Sequence, residues 1–312
     1  MRAYGVRGTS EKRQILDYAP DVVRVATGIV NTYFVGHASR WVLVDTGAPG
    51  ASALIRRAAE ARFGPGARPA AIVLTHGHFD HSGNVDALVA EWSVPVYAHP
   101  LELSYLAGRS KYPPQDPTVG GAMAFLSRVM PRGGHKPVKT TIMPLGDRIP
   151  AMPEWRAIHT PGHTAGHISL FRDADRVLIA GDALATMDTD SWVEQVRRTP
   201  DLCNPPAALT ADWEGARTSV EELASLEPGA IGAGHGRPVA GHDVPRALQR
   251  FAATFAPPAH GRYVNAPAST GPAGLEWIPP PVPDWLARQA AGAALVVLGG
   301  LSLAAARTRR AR

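Results

Sequence analysis

Residues 71–84 read AIVLTHGHFDHSGN: a short apolar run, then His76, His78, Asp80 and His81 within six positions. Imidazole and carboxylate are the protein ligands that suit zinc, iron and manganese. On an extended segment, residues two apart point the same way, so His76 and His78 converge on one cation. Asp80 and His81 come next, at the start of the helix expected to follow, and face a second cation close by. Ser82 and Gly83 help to start that helix. A solvated polar loop has no need of three imidazoles at fixed offsets behind a buried strand.

One motif cannot complete two coordination shells, so further ligands are expected at other strand ends. HTPGHTAGH (159–167) places His163 just after the strand WRAIHT, in a turn whose glycines let the backbone approach closely. VLIAGDAL (177–184) ends a strongly apolar strand on Asp182, and a carboxylate at the end of a buried strand needs a partner. GAIGAGHGRP (229–238) ends another strand on His235. His159 and His167, which flank His163, read as structural or as hydrogen-bond partners of the ligands. Cys203, the single cysteine, reads as an ordinary thiol and excludes an intrachain disulfide. No G-x-S-x-G elbow is present, and GAGHG has the wrong spacing for a dinucleotide loop.

The elements that position these residues follow from periodicity. Alternating Val, Tyr, Phe and Trp from Val22 to Gly47 predict a β-meander. Residues 51–62 are spaced as an amphipathic helix, 71–75 as a buried strand, 84–92 as a helix and 94–100 as a strand. Strands resume at WRAIHT, HISLFRD and RVLIAGD. Helices are predicted over 214–226 and 244–255. Alternation of strand and helix argues for an α/β architecture. Residues 101–150, rich in Gly and Pro, read as an insertion with one helix. Its Tyr105, Tyr112, Met123 and Phe125 either line a substrate pocket or pack a small core of the insertion itself. The Pro-rich stretch 258–284 reads as a linker or surface strap.

The order LVDTG (Asp45), THGHFDH (His76 to His81), PGHTAGH (His163), AGD (Asp182) and GHG (His235) closely resembles the metallo-β-lactamase superfamily. The five motifs span 45–236, and the resemblance implies a catalytic domain within 1–257. It implies an αβ/βα four-layer sandwich with two metals at one edge, zinc first, iron or manganese as alternatives. By the same resemblance His76, His78 and His163 hold one metal, and Asp80, His81 and His235 hold the other. Asp182 bridges both, and Asp45 hydrogen-bonds and orients metal ligands. The implied chemistry is attack of a metal-bridging hydroxide on an ester-like acyl bond: thioester, lactone or carboxylic ester. Asp80 and Asp182 are then the catalytic carboxylates. A bridging Asp182 resembles the glyoxalase II and lactonase type more than true β-lactamases, and His78 departs from the flavodiiron pattern, which has Glu there. Two alternatives stay open: an oxidoreductase resembling the mononuclear iron persulfide dioxygenases, and a ribonuclease Z-like nuclease.

The net charge of +5 is mostly terminal. The last six residues, RTRRAR, hold four arginines, and without those four the balance is +1. No basic stripe interleaved with aromatics is present, so nucleic acid is not expected; the resemblance implies a small-molecule acyl substrate. The N-terminal residues lack an apolar signal region, which predicts a cytoplasmic protein. AAGAALVVLGGLSLAAA (290–306) is 17 residues without a charge, between Trp285 and RTRRAR. It predicts a hydrophobic helix over 285–312 with a basic end, slightly short for a bilayer core and suited to a membrane surface.

Overall fold

Period-2 patterning builds the two sheets. In the computed structural model, which describes residues 15–130, 137–146 and 148–284, the first sheet has the order β1-β2-β3-β4-β5-β6-β7. Strands β1 (Ile15–Ala19), β2 (Val22–Thr27), β3 (Val30–His37) and β4 (Arg40–Val44) form the antiparallel meander. Strands β5 (Ala71–Val73), β6 (Val96–Ala98) and β7 (Ile142–Pro144) then add in parallel. Their crossovers carry α1 (Ser52–Phe63), α2 (Phe79–Ser82), α3 (Val85–Trp92), α4 (Leu103–Leu106) and α5 (Gly121–Ser127). The second sheet contains β8 (Trp155–His159), β9 (Ile168–Arg172), β10 (Val177–Gly181), β11 (Ala230–Ala233) and β12 (Val239–Ala240), in the order β12-β11-β10-β9-β8. Helices α6 (Glu194–Arg197) and α7 (Trp213–Ser225) lie between β10 and β11, and α8 (Val244–Thr254) follows β12.

The central strands of both sheets are buried on both faces. In β4, Val42 and Val44 face the second sheet, meeting Ile168, Leu170, Val177 and Ile179. The alternate residues Trp41 and Leu43 face outward onto Ile55 and Ala59 of α1 and Leu88 and Trp92 of α3. On the other side Leu178 and Ile231 pack under Val220 and Leu223 of α7 and Leu248 of α8. The layers therefore run helix, sheet, sheet, helix, as expected. Each large apolar side chain so withdrawn from water contributes roughly 1.5–3 kcal/mol.

Three sequence expectations are revised. The meander has an extra leading strand, β1. The segment 101–150 holds two α-helices among its described residues, and returns β7 to the edge of the first sheet. Three residues of Ile-Met-Pro are too short for a periodic signal, but β6 offers them a free edge. The stretch 258–284 folds a hairpin, β13 (Ser269–Gly271) and β14 (Gly274–Trp277), and buries Tyr263 among the side chains of α7 and α8. The hairpin leans on the insertion: Ser104 Oγ donates to Ala273 O (2.8 Å), and the Tyr105 hydroxyl meets Thr270 Oγ1 (2.9 Å). No helix among the described residues is long and apolar enough to cross a membrane. The hydrophobic helix expected over 285–312 lies outside them.

Candidate metal centre

Strands β4, β5, β8, β10 and β11 all point their C-terminal ends at one edge. Immediately after β4 stands Asp45, whose φ of 59° is left-handed. Aspartate is one of the few residues besides glycine that tolerates this region. The turn returns its carboxylate to the loop after β5. Oδ1 accepts from Thr75 N, and Oδ2 accepts from both Thr75 Oγ1 and His81 Nδ1, all at 2.8 Å. Thr75 Oγ1 is also 3.1 Å from His76 Nδ1. Since the hydroxyl proton is committed to Asp45, the His76 ring donates there. One carboxylate thus orients His81 directly and His76 through Thr75. It is no simple turn cap.

His163 and His235 are fixed in the same manner. His163 Nδ1 meets Thr210 Oγ1 at 3.3 Å, and that hydroxyl donates to Pro206 O at 2.9 Å. His235 Nδ1 donates to Ile29 O at 3.0 Å. In each case an outer nitrogen has a protein partner, which leaves the inner nitrogen with a lone pair for a cation. The inner atoms converge. His78 Nδ1 lies 3.0 Å from His76 Nε2 and 2.9 Å from His163 Nε2. Asp182 Oδ2 lies 3.5 Å from His81 Nε2, 3.5 Å from His163 Nε2 and 3.2 Å from His235 Nε2. Asp80 Oδ2 completes the far side, 3.7 Å from His235 Nε2 and 3.9 Å from His81 Nε2. The groups His76–His78–His163, His76–His81–Asp182 and Asp80–His81–His235 each gather their ligand atoms within 4.8 Å.

This donor set fits cations on chemical grounds. All seven side chains are buried. Burial, then the imidazoles of His81, His78 and His163, hold His76 well below its ordinary pKa. Burial and His78 do the same for His163, so both rings are neutral donors. Burial pushes the Asp182 carboxyl up, but His235 and His81 together outweigh it and hold the group well below the usual carboxylate range. Burial likewise disfavours charge on His81, yet Asp182, Asp45 and Asp80 raise it well above the ordinary value: the pocket calls for positive charge there. Of the six buried side-chain atoms without a hydrogen-bond partner among the described residues, two, His81 Nε2 and Asp182 Oδ1, lie at this site. Buried polar atoms without partners are rare unless an ion satisfies them. A Cβ at position 234 would collide with Asp182 Oδ1, so only glycine lets β11 pass the carboxylate.

His167 and His159 stand outside the donor set. His167 Nε2 accepts from Asp182 N (2.8 Å) and so sets the backbone of that carboxylate, while His159 bonds Ala165 O and stacks on His99. Of the insertion residues, Tyr105 and Tyr112 stack on each other and line a cavity of about 180 Å³ beside Pro161, Thr164 and Thr270. Tyr112 also packs on the His78 ring at 4.6 Å. Met123 is buried against Ala208, and Phe125 stands in solvent.

Sequence reasoning missed Glu102. It is fully buried in the 3₁₀ turn Pro100–Glu102 and joins the two ligand loops. Oε2 accepts from Gly77 N (2.8 Å) and from the Tyr112 hydroxyl, and Oε1 accepts from Thr164 Oγ1 (2.8 Å) and Gly166 N (2.9 Å). It therefore holds Gly77, between His76 and His78, against the loop that presents His163. No local signal marks it, since its partners lie as far as 64 residues away.

A family model described as the metallo-beta-lactamase superfamily matches residues 25–235. The chain belongs to this superfamily. Probable metallo-hydrolase YflN of Bacillus subtilis (strain 168) is 42% identical over 222 residues, covering 68% of this chain and 83% of that protein. A hydroxyacylglutathione hydrolase of Alkalilimnicola ehrlichii (strain ATCC BAA-1101 / DSM 17681 / MLHE-1) is 33% identical over 119 residues, 38% of this chain and 34% of its own. Among solved structures, Rm3 metallo-beta-lactamase aligns with a TM-score of 0.53 at 22% identity, over 78% of this chain and 90% of that one. That likeness is of fold. The superfamily architecture accounts for the shared edge: each ligand loop leaves the C-terminal end of a strand.

Proposed function

We propose that this chain is a hydrolase that holds two divalent cations and cleaves an ester-like acyl bond: a thioester, a lactone or a carboxylic ester. Zinc is the first candidate, with iron or manganese next. The observation that carries the reading is Asp182 Oδ2, which lies 3.2–3.5 Å from inner nitrogens of His163 on one side and of His81 and His235 on the other. A carboxylate so placed can serve both sets at once. Relatives named metallo-hydrolase and hydroxyacylglutathione hydrolase support the class.

When bound, such a cation pair supplies an acidified water and polarises an acyl carbonyl. The side chains do the rest. His76, His78 and His163 form one donor set, Asp80, His81 and His235 the other, and Asp45 keeps His81 Nε2 aimed inward. Asp80 Oδ2 faces His81 and His235 and supplies the carboxylate charge of that second set. A protein nucleophile is not favoured. The hydroxyls at the site are committed as donors, Thr75 to Asp45, Thr210 to Pro206 O and Ser82 to Gly77 O. Burial pushes the Cys203 thiol up to about 12.

The test combines metal analysis of purified protein with a panel of thioesters, lactones and phosphodiesters. Two ions per chain and acyl hydrolysis are expected. Asp182→Ala should lose at least one ion and lower turnover by about a hundredfold or more, since removal of a ligand and its charge affects both sets. An Asp182→Ala enzyme that keeps both ions and its turnover would refute the bridging role. A single iron with oxygenation of persulfides would favour the oxidoreductase alternative, and phosphodiester cleavage the nuclease.

A further inference from the structure

Arg24 lies on β2 opposite Tyr33, whose ring is part of the core between the sheets, and is only 7% exposed. A charged side chain so deeply buried normally has a partner of opposite charge. Arg24 has none. Its Nε donates to Asn31 Oδ1 at 2.6 Å. That is its one hydrogen bond among the described residues, and its Nη atoms, which are not sealed from solvent, have no partner. Asn31 is itself fixed, because Nδ2 donates to Ala233 O (2.8 Å) and Gly236 O (2.7 Å). Arg24 is thereby tied to the turn that carries His235.

Two more arginines share this place. Arg237 is exposed and follows His235 by two residues, so the two Cα atoms are within roughly 7 Å. Arg198, also exposed, caps the C-terminal end of α6. The chain just after it is pinned to the same turn: Asp201 N donates to Thr186 O (3.3 Å), and Thr186 N donates to His235 O (2.9 Å). Charge around Arg24 is one-sided. Burial lowers its pKa, the Tyr33 hydroxyl opposes that, and Arg237 and Arg198 add to it. Burial keeps Tyr33 a neutral phenol. No carboxylate acts on Arg24 among the described residues. The acids beside Arg198 serve the backbone instead: Glu194 Oε2 accepts from Thr199 N and Asp201 Oδ1 from Leu202 N, each at 2.8 Å. No ion pair among the described residues includes Arg24, Arg198 or Arg237.

We propose that Arg24 and Arg237, with Arg198 at the rim, bind an anionic group of the substrate, a carboxylate or a phosphate. A guanidinium held at Nε by Asn31 presents its Nη donors as a preset fork that matches either group. This rests on the acyl-hydrolase reading: the scissile bond lies at the metal centre, and the charged end of the substrate reaches past His235.

The first measurement is calorimetric titration of the metal-loaded full chain with glutarate and with inorganic phosphate. Arg237→Ser should weaken binding of at least one of them about tenfold, the worth of one charge-assisted contact. Arg24→Gln should do the same. It also removes the bond to Asn31, so its melting temperature is taken, and exposed Arg237 carries the test if that variant unfolds. The second measurement compares matched thioesters: glutaryl with valeryl N-acetylcysteamine, and acetylpantetheine with and without its phosphate. Preference for the charged member of one pair should fall about tenfold in Arg237→Ser. The pair that responds tells a carboxylate on the acyl half from a phosphate on the thiol half. Arginine-dependent anion binding without thioester cleavage would uphold the anion site and refute the acyl reading. No anion binding by the parent, or equal binding by parent and variants, would overturn the proposal. So would a single-stranded oligonucleotide bound through these arginines while both small anions are ignored.

Discussion

Replacing Asp45 by Asn separates charge from shape at the residue that aims the centre. Asparagine accepts the left-handed backbone at 59° nearly as well as aspartate, so the fold should not be strained. The amide oxygen still serves Thr75 N. The amide nitrogen, however, takes the place of Oδ2, which accepts from Thr75 Oγ1 and His81 Nδ1 at 2.8 Å each. The threonine hydroxyl can turn and accept. His81 must either leave Nδ1–H unpaired or move its proton to Nε2, the atom 3.5 Å from Asp182 Oδ2 that a cation requires. Loss of a buried hydrogen bond to a charged group costs about 1.5–3 kcal/mol. Placed on a metal ligand, that corresponds to roughly a ten- to hundredfold loss of cation affinity. The assay is bound metal counted after dialysis against graded chelator, with turnover measured alongside. The ion held by His81 should leave first, and excess metal should restore part of the activity. If the Asn variant retains metal within about twofold of the parent across the chelator series, the orienting role is wrong.

Glu102→Gln should destabilise both ligand loops, since an amide cannot accept from Gly77 N, Tyr112, Thr164 and Gly166 N together; we expect about 2–4 kcal/mol lower stability in urea unfolding and a lower kcat. An unchanged Tm and kcat would show the clamp to be idle. Burial pushes the Asp190 carboxyl up to about 6, so the folded chain binds that proton more tightly than the unfolded one does. Stability held below about pH 4 is then lost as pH rises through 6, by about 3 kcal/mol, and Asp190→Asn should flatten this slope in urea unfolding run at each pH. Equal slopes in parent and variant would assign the effect elsewhere.

What could be read locally was read from the chain. Period-2 alternation in 22–44 specified which face of each strand is buried, because successive side chains on a strand must oppose. The HGHFDH spacing grouped His76 with His78 for the same reason, and Asp80 with His81 as neighbours at the start of a helix. The candidate ligands at distant strand ends were legible through the family pattern, since each closes an apolar strand. Tertiary structure alone decided the rest. That Thr75 relays His76 to Asp45, that Thr210 holds His163 and that Glu102 ties two loops together are contacts between segments whose sequences carry no mutual signal. Residues 122–130, AMAFLSRVM, show the same limit: their composition is apolar, but only packing turned Met123 inward and left Phe125 and Val129 in water. Sequence determines what a side chain offers and how its neighbours along the chain point. The partner it meets depends on the closure of two sheets, a sum over many weak burial terms that no short segment contains.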